Sequence, residues 1–116
     1  MSELRFGYGT NGFSNHRLGD ALVVLADLGY TGVALTLDHQ HLDPFAGDLP
    51  RRVAKLAQRL DRLGLAVVVE TGARYLLDPV RKHRPTLMDA DAAGRVDFLL
   101  RAVRIAADLG AEAVSF

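Results

Sequence analysis

The chain has no cysteine and no apolar run that approaches the length of a membrane span. Without cysteine it cannot form disulfides, thiolate nucleophiles or cysteine metal sites. The first five residues, Met-Ser-Glu-Leu-Arg, carry charge where a signal peptide needs an apolar core. We therefore expect a cytoplasmic protein with no membrane segment.

Net charge is missing as well, because the 14 basic and 14 acidic side chains cancel. No overall field draws the chain onto nucleic acid or an anionic membrane, so we expect neither as a partner. The 116 residues and the apolar fraction of 49% are typical of one globular domain or part of one.

One pattern occurs three times: an apolar-periodic helix, then Asp-Leu-Gly or Arg-Leu-Gly, then a short run rich in Val and Ala. The copies span residues 26–37, 61–71 and 107–116. Each glycine follows the last periodic position, where a chain often leaves a helix in the left-handed conformation that glycine adopts without steric cost. The repeat predicts three helices, each followed by a strand.

Periodicity and capping residues set the predicted helices. The first runs over about 16–28 behind a Ser14 or Asn15 cap, the second begins after Asp48, and the third begins after Asp89 or Asp91. The residues expected on the buried faces are Leu18, Ala21, Leu22, Leu25 and Leu28, then Val53, Leu56, Ala57, Leu60 and Leu63, then Val96, Leu99, Ala102, Val103 and Ala106.

The predicted strands are apolar without alternation, which is typical of parallel strands covered on both faces. With residues 4–10 as the first strand, the order is βαβαβαβ. Right-handed crossovers between neighbouring strands would lay all three helices on one side of the sheet. This arrangement predicts half of a barrel.

Three segments carry a resemblance to a known family: residues 5–12 (RFGYGTNG), 25–33 (LADLGYTGV) and 69–74 (VETGAR). They resemble the opening units of xylose isomerase-like TIM barrels of the sugar phosphate isomerase/epimerase family. The resemblance covers the whole chain. It implies an α/β fold class, a partial TIM (βα)8 barrel with four parallel strands and three crossover helices, in which residues 1–116 are the amino-terminal part of the domain, truncated after the fourth strand.

The resemblance also implies a function for the parent protein: a metal-dependent isomerase or epimerase that acts on a sugar or sugar phosphate through an enediolate. Family members generally hold one divalent cation (Mn, Mg, Co or Zn), and two Glu residues commonly move the proton beside the sugar carbonyl. On this interpretation the metal ligands lie outside this fragment, so no metal ligand is assigned and the fragment alone is expected to be inactive.

Half a barrel leaves about eight side chains without their partners across the core, each worth about 1.5–3 kcal/mol when buried. That shortfall is of the same order as a domain's net stability of about 5–15 kcal/mol. We expect the isolated chain to be unstable, to aggregate or to form a homo-oligomer.

Loops that follow barrel strands build the functional site, and two such loops are long here, residues 38–47 and 72–89. Glu70 ends an otherwise all-valine strand, where a carboxylate is costly unless it faces the barrel mouth or a partner. It is the candidate catalytic residue. An internal ion pair with Arg74 is the alternative interpretation.

Four further residues are candidates for substrate binding. His39 and His41 stand two residues apart at a strand tip, so an extended backbone would turn both imidazoles to the same side. Arg74 and His83 lie in the longest loop, where a sugar phosphate or sugar acid would find donors. The alternative for these residues is a solvated polar loop.

Other functions stay open. Residues 7–12 (GYGTNG) fit the dinucleotide-binding fingerprint, although the predicted caps start the helix after the third glycine. A metal-dependent phosphodiesterase similar to the apurinic endonucleases would need histidine at the third strand tip, where this chain has Glu70 and Thr71. A non-catalytic domain of the same fold is the remaining alternative. The basic second helix is interpreted as a solvated face.

Overall fold

The computed structural model describes residues 4–116, which form alternating strands and helices. The elements are β1 (Gly7–Gly9), a 3₁₀ helix (Thr10–Phe13), α1 (Leu18–Asp27), β2 (Gly32–Thr36), α2 (Leu49–Leu63), β3 (Ala66–Glu70), α3 (Ala93–Leu109) and β4 (Ala113–Ser115). The predicted order of helices and strands is confirmed. The first strand is shorter than the predicted 4–10, because Thr10 begins the 3₁₀ helix.

The four strands form one parallel sheet in the order β1-β2-β3-β4. Gly7, Gly32 and Ala66 stand side by side near the amino ends, and Thr36, Glu70 and Ser115 stand side by side at the carboxyl ends of β2, β3 and β4. The predicted parallel sheet with neighbouring strands in sequence order is therefore confirmed.

All three helices pack on the same face of the sheet. One core cluster joins side chains of the three helices to the alternate strand residues Val33, Leu35, Val67 and Val69. When neighbouring parallel strands are joined by crossovers of the same handedness, all of the helices lie on the same face of the sheet. The structure is a four-stranded parallel α/β unit with a single helix layer.

Glycine ends α2 and α3 as predicted. Gly64 and Gly110 are the residues after the last helical turns, with φ of 67° and 68°. Their backbone N–H groups bond to carbonyls of the preceding turn, as in other left-handed helix ends. Each strand then begins within two or three residues, so the amino edge of the sheet has short turns.

Helix α1 differs from its prediction at both ends. It begins at Leu18 with Arg17 as its N-cap, so neither Ser14 nor Asn15 caps it. The chain before it is occupied by the 3₁₀ helix and a turn, which delays the start. At the other end Leu28 lies past the helix and is mostly exposed, which corrects its assignment to the buried face.

The predicted buried face of α3 is confirmed at Ala102 and Ala106, with Leu99 packed against the core, but it is wrong at Val96 and Val103. Val96 and Val103 are 45% and 47% exposed, whereas Phe98 and Ala102 are fully buried. The helix is apolar on more than one side, so periodicity alone does not choose the face, and the large Phe98 ring sets the rotation by filling the core. Its N-cap is Ala92 rather than Asp89 or Asp91.

The second face of the sheet is open among the described residues. Burial alternates along β2 and β3, so that Ala34, Thr36, Val68 and Glu70 are only half-buried. In the half barrel expected from the sequence, these are side chains whose partners across the core are missing. This face lines a concavity of about 710 Å³. An exposed Arg5–Glu112 ion pair of 3.2 Å joins the amino end of the chain to the segment before β4.

Within residues 4–116, none of the helices combines the length and the apolar composition that a membrane crossing requires.

Candidate functional site

A polar concavity of about 390 Å³ lies at the carboxyl edge of the sheet. It is formed where the connections after β1, β2 and β3 meet. Its lining residues are Asn11, Thr36, Asp38, His39, Gln40, Glu70, Gly72, Ala73, Arg74, Lys82 and His83. Four of the five candidate residues from the sequence, Glu70, His39, Arg74 and His83, are therefore brought together.

Glu70 occupies the last position of β3, and Thr36 is its neighbour on β2. The Thr36 hydroxyl donates to Glu70 Oε2 at 3.3 Å, and the carboxylate is half-buried on the open side of the sheet. None of the ion pairs found within residues 4–116 includes Glu70, so the internal pair with Arg74 does not form. Among the residues that the structure describes, no hydrogen bond is made to Oε1.

Thr10 fixes the strand ends around this carboxylate, although no sequence pattern singles it out. Its side chain is fully buried, and its Oγ1 accepts a hydrogen bond of 3.0 Å from the backbone N–H of Thr36. On the other side of β3, the Thr71 hydroxyl donates to the carbonyl of Ser115 at 2.7 Å. Two threonines thus tie the ends of β1 and β4 to the two central strands.

The two candidate histidines do not point the same way. Residues 38–41 form bends instead of an extended strand, because the Asp38 carboxylate accepts the backbone N–H groups of Gln40 and His41 at 3.0 and 2.8 Å. His39 lines the concavity, and its Nδ1 lies 3.7 Å from an Asp43 carboxylate oxygen. The expectation that both imidazoles face one side was wrong.

His41 turns into the protein and is 8% exposed. Its Nε2 lies 2.9 Å from the carbonyl oxygen of His16 and 3.1 Å from that of Phe13. Carbonyls only accept, so Nε2 carries the proton. His41 thereby fastens the loop after β2 to the segment before α1, outside the lining of the concavity, and its predicted substrate contact stays a prediction.

The loop after β3 folds back on itself, which places Lys82 and His83 on the same concavity as Arg74. The backbone N–H of Tyr75 donates to the carbonyl of Lys82 at 2.6 Å. Ala73 and Tyr75 both have φ of 55°, a left-handed conformation that non-glycine residues rarely adopt. The loop therefore holds a specific shape around Arg74.

Arg95 anchors this loop from the first turn of α3, and sequence reasoning missed it. Its guanidinium donates to the carbonyls of Pro85 (2.8 Å), Thr71 (3.1 Å) and His83 (2.8 Å). The side chain is 8% exposed, and burial lowers the pKa of Arg95 below its usual value. A usable signal was available: Arg95 lies three residues before the buried Phe98, on the apolar face of the helix.

The site combines groups of both charges. Glu70 and Asp38 supply carboxylates, and Arg74 and Lys82 supply cations. A carboxylate moves protons, whereas Arg and Lys bind phosphate or carboxylate groups. Within residues 4–116 no three His, Asp or Glu side chains are grouped to hold a metal ion, so the expected divalent cation has no ligand set here.

The glycines of residues 7–12, which fit the dinucleotide-binding fingerprint, do not lie at the start of an α-helix. Gly7 and Gly9 lie in β1, Gly12 lies in the 3₁₀ helix, and α1 begins only at Leu18. A dinucleotide phosphate binds at the amino end of the helix that the third glycine opens. The geometry therefore counts against a dinucleotide site in this segment.

No known protein family matches the chain, and no curated protein matches it either.

Proposed function

We propose that the four units form half of a (βα)8 barrel, and that the protein is a sugar or sugar-phosphate isomerase or epimerase. The observation that supports this is the polar concavity itself: Glu70 at the end of β3, His39 from the loop after β2, and Arg74 and His83 from the loop after β3 line one volume at the carboxyl edge of a parallel sheet. Barrel enzymes carry their active sites at that edge.

The helix layer supports closure into a barrel. Helix α2 contacts both α1 and α3, and it exposes no large apolar side chain. The two outer helices do expose such residues: Val23 and Val24 on α1, and Val96, Leu100 and Val103 on α3. If further helices continued the layer beyond α1 and α3, as in the outer ring of a closed barrel, they would cover these exposed side chains. The open concave face would then become the barrel interior.

In this proposal Glu70 accepts the proton from the carbon beside the sugar carbonyl to give the enediolate. Isomerisation follows when Glu70 delivers this proton to the former carbonyl carbon, whereas epimerisation needs a second acid that protonates the original carbon from the opposite face. The Thr36 hydroxyl holds Oε2, which leaves Oε1 directed to the reacting carbon. Arg74 and Lys82 neutralise a phosphate or acid group of the substrate, and His39 bonds a hydroxyl. The family's divalent cation would stabilise the enediolate when bound, and its ligands would come from outside the described residues.

The test is proton exchange. The intact protein is incubated with a panel of ketoses, aldoses and their phosphates in D₂O, and deuterium incorporation beside the carbonyl is followed by NMR. Glu70→Gln should slow incorporation by about 10²–10⁴-fold, because a general base is removed. Glu112→Gln is the matched control, since that carboxylate lies near the opposite edge of the sheet. Equal rates in both variants would remove Glu70 from the mechanism.

A further inference from the structure

Arg95 is a buried cation without a carboxylate partner. Within residues 4–116 no ion pair includes it, and its three bonds go to backbone carbonyls. Burying a charge is costly unless its hydrogen-bonding groups are satisfied. Thr71 is the first residue of the loop after β3, and His83 and Pro85 belong to the part of the loop that returns toward it. One guanidinium therefore joins the start of the loop to its returning part.

The loop in turn fixes one nitrogen of His83. Nδ1 lies 3.1 Å from the carbonyl oxygen of Gly72. A carbonyl oxygen only accepts, so Nδ1 must donate and carry the proton. In the neutral imidazole Nε2 then has a lone pair. His83 lines the concavity together with Glu70. The Nδ1 bond to Gly72 therefore leaves Nε2 as the ring nitrogen that a ligand in this concavity could engage.

We propose that Arg95 is a positioning residue, which holds the loop so that His83 presents Nε2 as a hydrogen-bond acceptor to a substrate hydroxyl. Arg74 and Lys82 then remain as the donors for an anionic group, and the site divides into a hydroxyl side and an anion side. The inference rests on the proposed function for the identity of the ligand. The three hydrogen bonds from Arg95 to the loop, which we call the Arg95 clamp, and the tautomer of His83 are properties of the protein alone.

The tautomer is tested in the intact wild-type protein, labelled with ¹⁵N-histidine, by long-range ¹H–¹⁵N NMR at alkaline pH. We expect the Nδ1–H form at His83. Observation of the Nε2–H form would overturn the proposal, and this measurement needs no variant.

The clamp is tested by amide hydrogen exchange. In Arg95→Gln, the amides of residues 72–90 should exchange at least ten-fold faster, and His83 should lose its single tautomer. Arg95→Lys keeps the charge but offers fewer directed donors, so it should be intermediate. Arg104→Gln is the control, because Arg104 is on the same helix and exposed. Unchanged exchange in both Arg95 variants would contradict the clamp.

Inorganic phosphate tests the division of the site. Arg74→Gln should weaken phosphate binding about ten-fold, equivalent to about 1.4 kcal/mol, whereas His83→Gln should leave it unchanged. A loss in His83→Gln equal to that in Arg74→Gln would make the imidazole a donor and overturn the division. If no sugar is turned over while the tautomer and clamp are as described, the proposed function fails and the positioning role stands.

Discussion

The two edges of the sheet are built by different means. At the amino edge, turns of two to four residues join helix to strand, and Gly64 and Gly110 close their helices in the left-handed conformation. At the carboxyl edge, residues 37–48 and 71–92 form long connections held by Thr10, His41 and Arg95, whose partners are distant in sequence. Local backbone chemistry therefore fixes one edge, and tertiary contacts shape the edge that carries the polar concavity.

The largest expected effect is a loss of stability when the hydrophobic core that supports both edges is altered. Phe98 is fully buried, and its ring centre lies 6.5 Å from that of Phe45 in the loop after β2. Phe98→Ala should lower the free energy of unfolding by about 3–5 kcal/mol, because it leaves a cavity. Urea denaturation of the intact protein measures this. Gln58→Ala, on the solvent side of α2, should change it by less than about 0.5 kcal/mol. A small loss in Phe98→Ala would disprove the assigned face of α3.

A second prediction separates the two histidines of the loop after β2. His41→Asn should lower the free energy of unfolding by about 1–3 kcal/mol, since the carbonyl of His16 loses the donor that His41 supplies and that of Phe13 keeps only the backbone N–H of His16. His39→Asn should leave stability unchanged, because His39 is mostly exposed. It should instead weaken substrate binding in the proton-exchange assay. The reverse pattern would mean that His41, and not His39, faces the ligand.

At the amino edge, the prediction concerns backbone conformation alone. Gly64→Ala should cost about 1–2 kcal/mol, because an L side chain is strained at φ of 67°, although a Cβ there meets no atom within 4 Å. Gly47→Ala is the control, since its Cβ also has open space and its φ is not in the left-handed region. Thermal unfolding compares the two. An equal cost at both positions would show that local conformation does not set the amino edge.

The smallest effect is a pH dependence within the long loop. The backbone N–H groups of Val80 and Arg81 donate to the Asp78 carboxylate and lower its pKa below 3.8. The folded loop therefore favours the charged form, so this contribution is present above pH 3.8 and is lost as the pH falls through the lowered pKa. The amide shifts of residues 80 and 81 should change only below that pH. A midpoint above 3.8, or an unaltered profile in Asp78→Ala, would contradict the turn.

The contrast between local conformation at the amino edge and tertiary contacts at the carboxyl edge explains which features could be predicted from the sequence. Element order, the parallel sheet and the helix ends at Gly64 and Gly110 follow from periodicity and glycine chemistry, which are local properties. The orientation of His41 depends on carbonyls of Phe13 and His16, and backbone carbonyls carry no sequence signal. The burial of Arg95 could have been predicted from its place three residues before Phe98, but its partners are also backbone carbonyls, so its role in the loop could not. Glu70 could be singled out because a carboxylate that ends an apolar strand is conspicuous by itself, and the structure places it in the concavity, while its catalytic role stays a prediction.

The central claim, that the concave face is the interior of a closed barrel, is tested most directly by thiol labelling, because the chain has no cysteine of its own. Val68 lies on the concave face, half-buried, and Lys55 is exposed on α2. We predict that the thiol of Val68→Cys in the intact protein reacts with a maleimide at least a hundred-fold more slowly than that of Lys55→Cys. Equal rates at the two positions would show that the face stays open to solvent and would contradict the barrel.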